Sequence, residues 1–235
     1  MRCTIAELQV EIPEAGGLAP RCEDYLSETT GEADIVIHPE HYKPETKPNL
    51  TAEDVAYLDS GAQFYRQLIQ FDGLMLHASA VELDGFAYLF SGPCGMGKST
   101  HTRLWQQTFG SAAQVFNDDK PALRRQNGAW YAYGTPWCGK DGINQNRKVR
   151  LGGICFLKRG QTNEIRQLMP LEAATSILAQ TTTKIKNPER LGHLLELVEQ
   201  LIQEVPVFEL KNKPEPEAAR LSRETMEKTA KEKFL

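Results

Sequence analysis

The run Gly92-Pro93-Cys94-Gly95-Met96-Gly97-Lys98-Ser99-Thr100 constrains this chain more than any other part of it. It satisfies the spacing G-x-x-x-x-G-K-[ST]. In that pattern glycines let backbone N–H groups turn inward onto phosphate oxygens, the lysine reaches the β- and γ-phosphates, and the hydroxyl holds Mg²⁺. Such a loop needs a strand to deliver it and a helix whose positive end faces the same anion. Both flanks are legible, because Phe86–Ser91 reads as a strand and Ser99–Phe109 as a helix. The motif therefore implies an ATP- and Mg²⁺-binding site, with Ser99 on the metal and the remaining loop residues around the phosphates.

Its surroundings narrow the fold. Mononucleotide-binding α/β domains usually carry this loop after their first strand, and GTPases add N-K-x-D, which is absent. Here the loop follows a hairpin, with Leu74–Leu83 as the outgoing strand, Asp84-Gly85 as a tight turn and Phe86–Ser91 as the return. A second hairpin, Ala122–Arg125 and Trp130–Tyr133 about Asn127-Gly128, follows a short strand at Gln114–Phe116. Further strands are expected at Leu151–Leu157 and Val207–Leu210, and helices at Leu171–Gln180 after Pro170 and at Pro188–Gln203. The expected fold class is α/β of the α+β kind, with a mixed, largely antiparallel sheet and flanking helices.

Upstream, Pro13, Gly16, Gly17, Pro20, Pro39, Pro44 and Pro48 break residues 1–50 into short strands and loops. Thr51 then caps a helix reaching about Gln70, with Asp54 three residues on and Val55, Leu58, Phe64 and Leu68 near one face. The tail from Pro214 to Leu235, rich in Glu, Lys, Arg and Ala, reads as a solvated helix. Residues 1–70 are expected to pack on a nucleotide-binding unit spanning 71–235, the two forming one compact body.

Asp118 and Asp119 close the strand after the loop. Adjacent strand residues face opposite ways, yet at a strand end both carboxylates reach a cleft, and phosphoryl transfer uses two: one on the metal, one on the incoming hydroxyl. His77, alone on its strand, reads from spacing as an ordinary core or edge residue.

Taken together, His77-Ala78-Ser79-Ala80, Asp84-Gly85, the glycine loop through Thr100 and Asn117-Asp118-Asp119 resemble the catalytic domain of HPr kinase/phosphorylase and its relatives, of the phosphoenolpyruvate carboxykinase-like fold. Tyr133-Gly134-Thr135-Pro136-Trp137-Cys138-Gly139-Lys140 is similar to the small HPr-kinase-related bacterial proteins. The resemblance spans about residues 70–210. It implies that Gly92, Gly95, Gly97 and Lys98 bind ATP phosphates and Ser99 ligates Mg²⁺. Asp118 would be the base for an acceptor hydroxyl and Asp119 the second metal-side carboxylate, or the reverse, and His77 would hold an aspartate in place. The chain departs from HPr kinase in lacking its amino-terminal domain and its phosphorylase signature, so recognition of HPr, phosphorolysis and a hexamer are not carried over.

The implied activity is transfer of the γ-phosphoryl group to a serine-type hydroxyl of a small metabolite or peptide. The alternatives are a non-catalytic ATP-binding regulatory module and carboxykinase-like chemistry. Trp137, Lys140 and Arg147 form a candidate substrate loop, although Trp137 equally suits packing and the Arg147–Arg150 cations a solvated face. A net charge of −4 gives no basic field for nucleic acid or an anionic membrane. The five cysteines are odd in number and widely spaced, which favours free thiols over a disulfide framework or zinc site. No apolar run is long enough to span a bilayer and the start lacks a signal-like stretch. A cytoplasmic monomer or homodimer is expected.

Overall fold

The computed structural model describes residues 1–14, 17–181 and 185–234, so Gly16 and Leu235 lie outside the described residues. The amino-terminal stretch makes a small sheet. Strands β1 (Arg2–Ile5) and β2 (Leu8–Glu11) turn antiparallel about Ala6-Glu7, and β3 (Ile35–Val36) lies parallel to β2. Alternation puts Cys3, Ile5, Leu8 and Val10 on one buried face. Helix α1 (Ala52–Leu68) opens with the expected capping box: Thr51 Oγ accepts from the Asp54 N–H, and the Asp54 carboxylate accepts from the Thr51 N–H, both at 3.1 Å. Val55, Phe64 and Leu68 are buried, but Leu58 lines a shallow hollow beside Tyr57 and Lys120 and stays 38% exposed.

The stretch read as one strand from Leu74 is two, β4 (Gly73–Met75) and β5 (Ala78–Leu83), interrupted at Leu76-His77. The partners explain the break, since β5 pairs with its hairpin mate β6 (Phe86–Ser91) while β4 belongs elsewhere. After α2 (Lys98–Phe109), β7 (Gln114–Asp119) ends on the two aspartates. The second hairpin is β8 (Ala122–Gln126) and β9 (Ala129–Tyr133). Both hairpin turns hold positive φ at their two central residues, Asp84-Gly85 and Asn127-Gly128, as the strand twist demands. Then come β10 (Lys148–Arg159), an unanticipated β11 (Glu164–Gln167), α3 (Pro170–Gln180), α4 (Pro188–Glu204), β12 (Val207–Asn212) and α5 (Pro216–Phe234).

The main sheet runs β4-β8-β9-β10-β6-β5-β7, and β12 joins β10 and carries β11. Among the described residues of this sheet only β10 with β6 and β10 with β12 pair in parallel; the other pairings are antiparallel, giving the mixed sheet expected. Its central strands are buried on both faces. Ala80, Leu89, Ile154 and Phe156 point into a core shared with α3 and α4, while Val81, Phe90, Cys155 and Leu157 point into one shared with α2 and α5. The small amino-terminal sheet packs with α1 on Ala122, Tyr133 and Trp137 in a third cluster.

One expectation changes here, and of the two readings of Trp137 the packing one holds. The terminal helix is docked rather than solvated, because Ala218, Ala219, Ser222, Met226 and Ala230 recur along one side and are buried. Ser222 Oγ accepts from Trp105 Nε1 at 3.0 Å and lies 3.1 Å from His101 Nε2, which ties α5 to the glycine-loop helix. Burial pushes the His101 imidazole down to about 3, so it stays neutral in that contact. Trp137 is a core residue. It is fully buried, stacks on Phe64 with ring centroids 4.8 Å apart and donates from Nε1 to Ser60 Oγ at 3.0 Å. A side chain at Gly61 would come within 2.8 Å of its ring, so α1 is shaped to admit it. Among the described residues all five cysteines are free thiols, and no helix is long and apolar enough to cross a membrane.

Candidate active site

Strand register assembles the site. Ala78 pairs with Ser91 on one side and Asp119 on the other, so the ends of β6, β5 and β7 emerge side by side. One residue before Ala78 stands His77, one after Ser91 the glycine loop begins, and opposite lies the aspartate pair. Ser91 Oγ fixes the junction by donating to the His77 carbonyl at 2.8 Å.

The loop has the shape its glycines permit. Gly95 and Gly97 sit at φ +76° and +99°, and a Cβ at either would meet nothing within 4 Å, so glycine is kept for backbone conformation beneath an open mouth. Gly97 is the N-cap of α2 and supplies no side-chain acceptor, which leaves the first-turn N–H groups and the positive helix end free for an anion. Lys98 folds over the loop, donating from Nζ to the carbonyls of Gly92 at 3.0 Å and Pro93 at 3.3 Å. Burial lowers its pKa, a cost that phosphate charge would reverse. Ser99 Oγ donates to Asp118 Oδ1 at 3.0 Å. Loop, lysine, hydroxyl and carboxylate thus fit a Mg²⁺-triphosphate. Among the described residues no cluster of three or more His, Cys, Asp or Glu is arranged for a metal. A magnesium site needs none, since phosphate oxygens and water complete its shell.

The two aspartates divide. Asp118 is buried against Ser99, whereas Asp119 has other partners, its Oδ1 3.0 Å from His77 Nε2 and its Oδ2 paired with Lys120 Nζ. Asp119 holds φ +148°, a conformation costly for any residue with a side chain and one that clusters at functional sites. His77 is itself held, its Nδ1 3.2 Å from Gln180 Oε1 and its N–H donating to the Gln180 carbonyl at 2.9 Å. Burial alone would raise the Asp119 pKa, but the His77 hydrogen bond and the Lys120 charge outweigh it and bring the carboxyl to about 2 from an ordinary 3.8.

That depression predicts an acid response. A folded-state pKa below the unfolded one stabilises the protein above about pH 4, and the contribution is lost as pH falls through about 2. The difference corresponds to about 2 kcal/mol. Urea midpoints measured at pH 5 and pH 2.5 should therefore fall less in Asp119→Asn than in the parent, and equal falls would contradict the pairing.

Beyond Asp119 lies a cleft of about 400 Å³ walled by Gly17, Arg21, Glu53, Asp54, Tyr57 and Cys138–Lys140. Tyr57 Oη donates to the Cys138 carbonyl at 2.6 Å, and Arg21 lies over the Tyr57 ring with its guanidinium carbon 4.7 Å from the centroid. Of the residues read from sequence, His77, Asp118, Asp119 and the loop from Gly92 to Thr100 come together, and Lys140 is exposed at this cleft. Trp137 lies in the core below. Arg147 is elsewhere, bound by Glu82 and Gln114 at the ends of β5 and β7 opposite the site, so it joins no substrate loop. Sequence reasoning missed Arg21, Tyr57, Lys120 and Gln180. Only Lys120 carried a signal, its adjacency to the aspartates, while the other three arrive through long-range packing.

Against known proteins, the family model described as SynChlorMet cassette protein ScmC matches residues 49–213. The solved structure of the Hpr(Ser) kinase/phosphatase from Coxiella burnetii is similar at 14% identity and a TM-score of 0.37, over 65% of this chain and 98% of that one. No curated protein matches.

Proposed function

The chain belongs to the family of SynChlorMet cassette protein ScmC, and from that premise and the site geometry we propose that it is an ATP- and Mg²⁺-dependent kinase that phosphorylates a hydroxyl group. The observation that carries this reading is the division of the aspartates. Asp118 is engaged with the loop hydroxyl Ser99, and Asp119, held by His77 and Lys120, faces a separate cleft. A module that only bound ATP would have no use for a second carboxylate kept in a costly backbone conformation and held by His77 and Lys120.

The roles follow from position. The loop amides and the free N–H groups of α2 take the phosphates, and Lys98 leaves the Gly92 and Pro93 carbonyls for the β- and γ-oxygens. Ser99 Oγ and Asp118, together with the phosphates, would hold Mg²⁺, which would supply charge neutralisation. Asp119 accepts the proton of the acceptor hydroxyl and aims its oxygen, so the base is the second aspartate, the reverse of the first assignment the resemblance suggests. Its low pKa suits this task, since the transition state is loose and orientation outweighs base strength. His77 and Lys120 fix the carboxylate.

Calorimetric titration with ATP, with and without Mg²⁺, tests the metal side. Mg²⁺ should tighten ATP binding about tenfold or more in the parent and much less in Ser99→Ala. An equal gain in the variant would contradict the assignment.

A further inference from the structure

The kinase reading leaves the acceptor open, and the cleft beyond Asp119 carries information about it. We propose that this cleft takes a small hydroxyl-bearing carboxylic acid and that Arg21 is the residue that selects it by binding the carboxylate. The inference rests on the kinase reading for the fate of the hydroxyl, while the carboxylate site stands on its own geometry.

Arg21 is half-buried on Tyr57, and its Nη1 donates to the Cys138 carbonyl at 3.2 Å and lies 3.3 Å from the Cys138 thiol. Among the described residues it has no carboxylate partner. A guanidinium carries five donors, and one carbonyl and a thiol leave most of them unused in a site already partly removed from water. Such a cation, fixed flat on an aromatic ring, is pre-organised for a carboxylate, which it grips with two parallel hydrogen bonds. The other cations near it are placed differently. Lys120 is spent on Asp119, and Lys140 stands exposed at the rim as a second, weaker attraction.

The acidic residues on the walls do not cancel Arg21. Asp54 is turned to the helix cap, accepting from the Thr51 N–H and Oγ, and Glu53 is exposed at the rim. Arg21, Tyr57 and Asp119 line the same cleft, with Arg21 over the Tyr57 ring. A ligand whose carboxylate meets Arg21 therefore presents its other end to Asp119. A volume of about 400 Å³ admits a small metabolite. The amino-terminal segment gains a purpose, because it brings Arg21 to the acceptor side.

In the step so catalysed the hydroxyl oxygen bonds to the γ-phosphorus and the bond from that phosphorus to the β,γ-bridging oxygen breaks. The electron pair leaves on ADP, and the hydroxyl proton goes to Asp119.

The test uses the full chain and a panel of glycolate, lactate, glycerate, malate and serine, each beside its amide. Binding is read by saturation-transfer NMR with MgADP present, and turnover as ADP release from MgATP. At least one acid should bind about tenfold or more tighter than its amide. Arg21→Gln should weaken that acid about 10- to 100-fold, Arg21→Lys should recover part of the loss, and Lys140→Gln should weaken it about threefold. The ATP affinity of all three variants should stay within about twofold of the parent's. Amides binding as well as acids, no acid binding, or an unchanged Arg21→Gln would each overturn the proposal. So would preference for a serine-containing peptide with a free carboxyl terminus over every small acid. Failure of the parent to bind ATP would instead sink the kinase reading, while the acid-against-amide comparison would still report on Arg21.

Discussion

Asp119→Asn is expected to lower phosphoryl transfer about a thousandfold while leaving ATP affinity within about threefold of the parent. Asparagine keeps the shape of the side chain and a hydrogen bond to Lys120, but it has no charge to take a proton and meets His77 Nε2 with a weaker acceptor. Asp119 lines the cleft beside Arg21 and Tyr57 and only its charge reaches Lys98, so ATP affinity should register the change weakly. Asp118→Asn, in contrast, removes charge beside Ser99 and should weaken Mg²⁺-dependent binding as well. Single-turnover rates beside ATP titrations separate the two. If the Asp118 variant spared binding and the Asp119 variant lost it, the roles would be reversed.

Lys98→Ala is expected to abolish productive nucleotide use, with turnover down about a thousandfold and the rise in melting temperature caused by MgATP lost. The ligand-free protein should melt within a few degrees of the parent. Lys98 is desolvated and its hydrogen bonds go to the loop carbonyls of Gly92 and Pro93, with the charges of Asp119 and Asp118 offsetting part of that desolvation, so little stabilisation is lost with it. A structural lysine would give the opposite pattern, a lower melting temperature without ligand and an unchanged response to MgATP. Scanning fluorimetry of the two proteins, each with and without MgATP, distinguishes these cases.

Asp84-Gly85 and Asn127-Gly128 announce their hairpins because few residue pairs tolerate two successive positive φ angles, and both turns form as read. Thr51 and Asp54 announce a helix start because the capping box is local chemistry. The glycine loop is legible for the same reason. What was not legible depends on partners distant in sequence. The strand from Leu74 breaks at His77 because β4 and β5 pair with different strands, and no local pattern records that. Trp137 looks like a loop aromatic between glycines and cysteine until Gly61, on a helix far earlier in the chain, makes room for it. Arg147 sits near the candidate loop in sequence but finds Glu82 and Gln114 in space. The terminal helix reads as solvated because alanine contributes little to apolar patterning, though its small side chains are what lets α5 approach α2 closely.

The aspartates show the limit most clearly. Their adjacency was plain, and so was the need for two carboxylates. Which one faces which reactant depended on the register of β7 against β5, with Ser79 opposite Asp118 and Ala78 opposite Asp119. That register, with the break that frees His77, is what sets Asp118 against Ser99 and Asp119 against His77.

Phosphorus NMR of the protein with MgATP and a bacterial small-molecule extract, run beside Asp119→Asn, tests the central claim most directly. The account predicts that the γ-phosphate signal declines as a phosphomonoester resonance grows, that the new resonance requires the extract, and that the variant does not produce it. A phosphomonoester formed equally by the variant, or ATP left intact by the parent with both the extract and a serine-containing peptide pool, would contradict it.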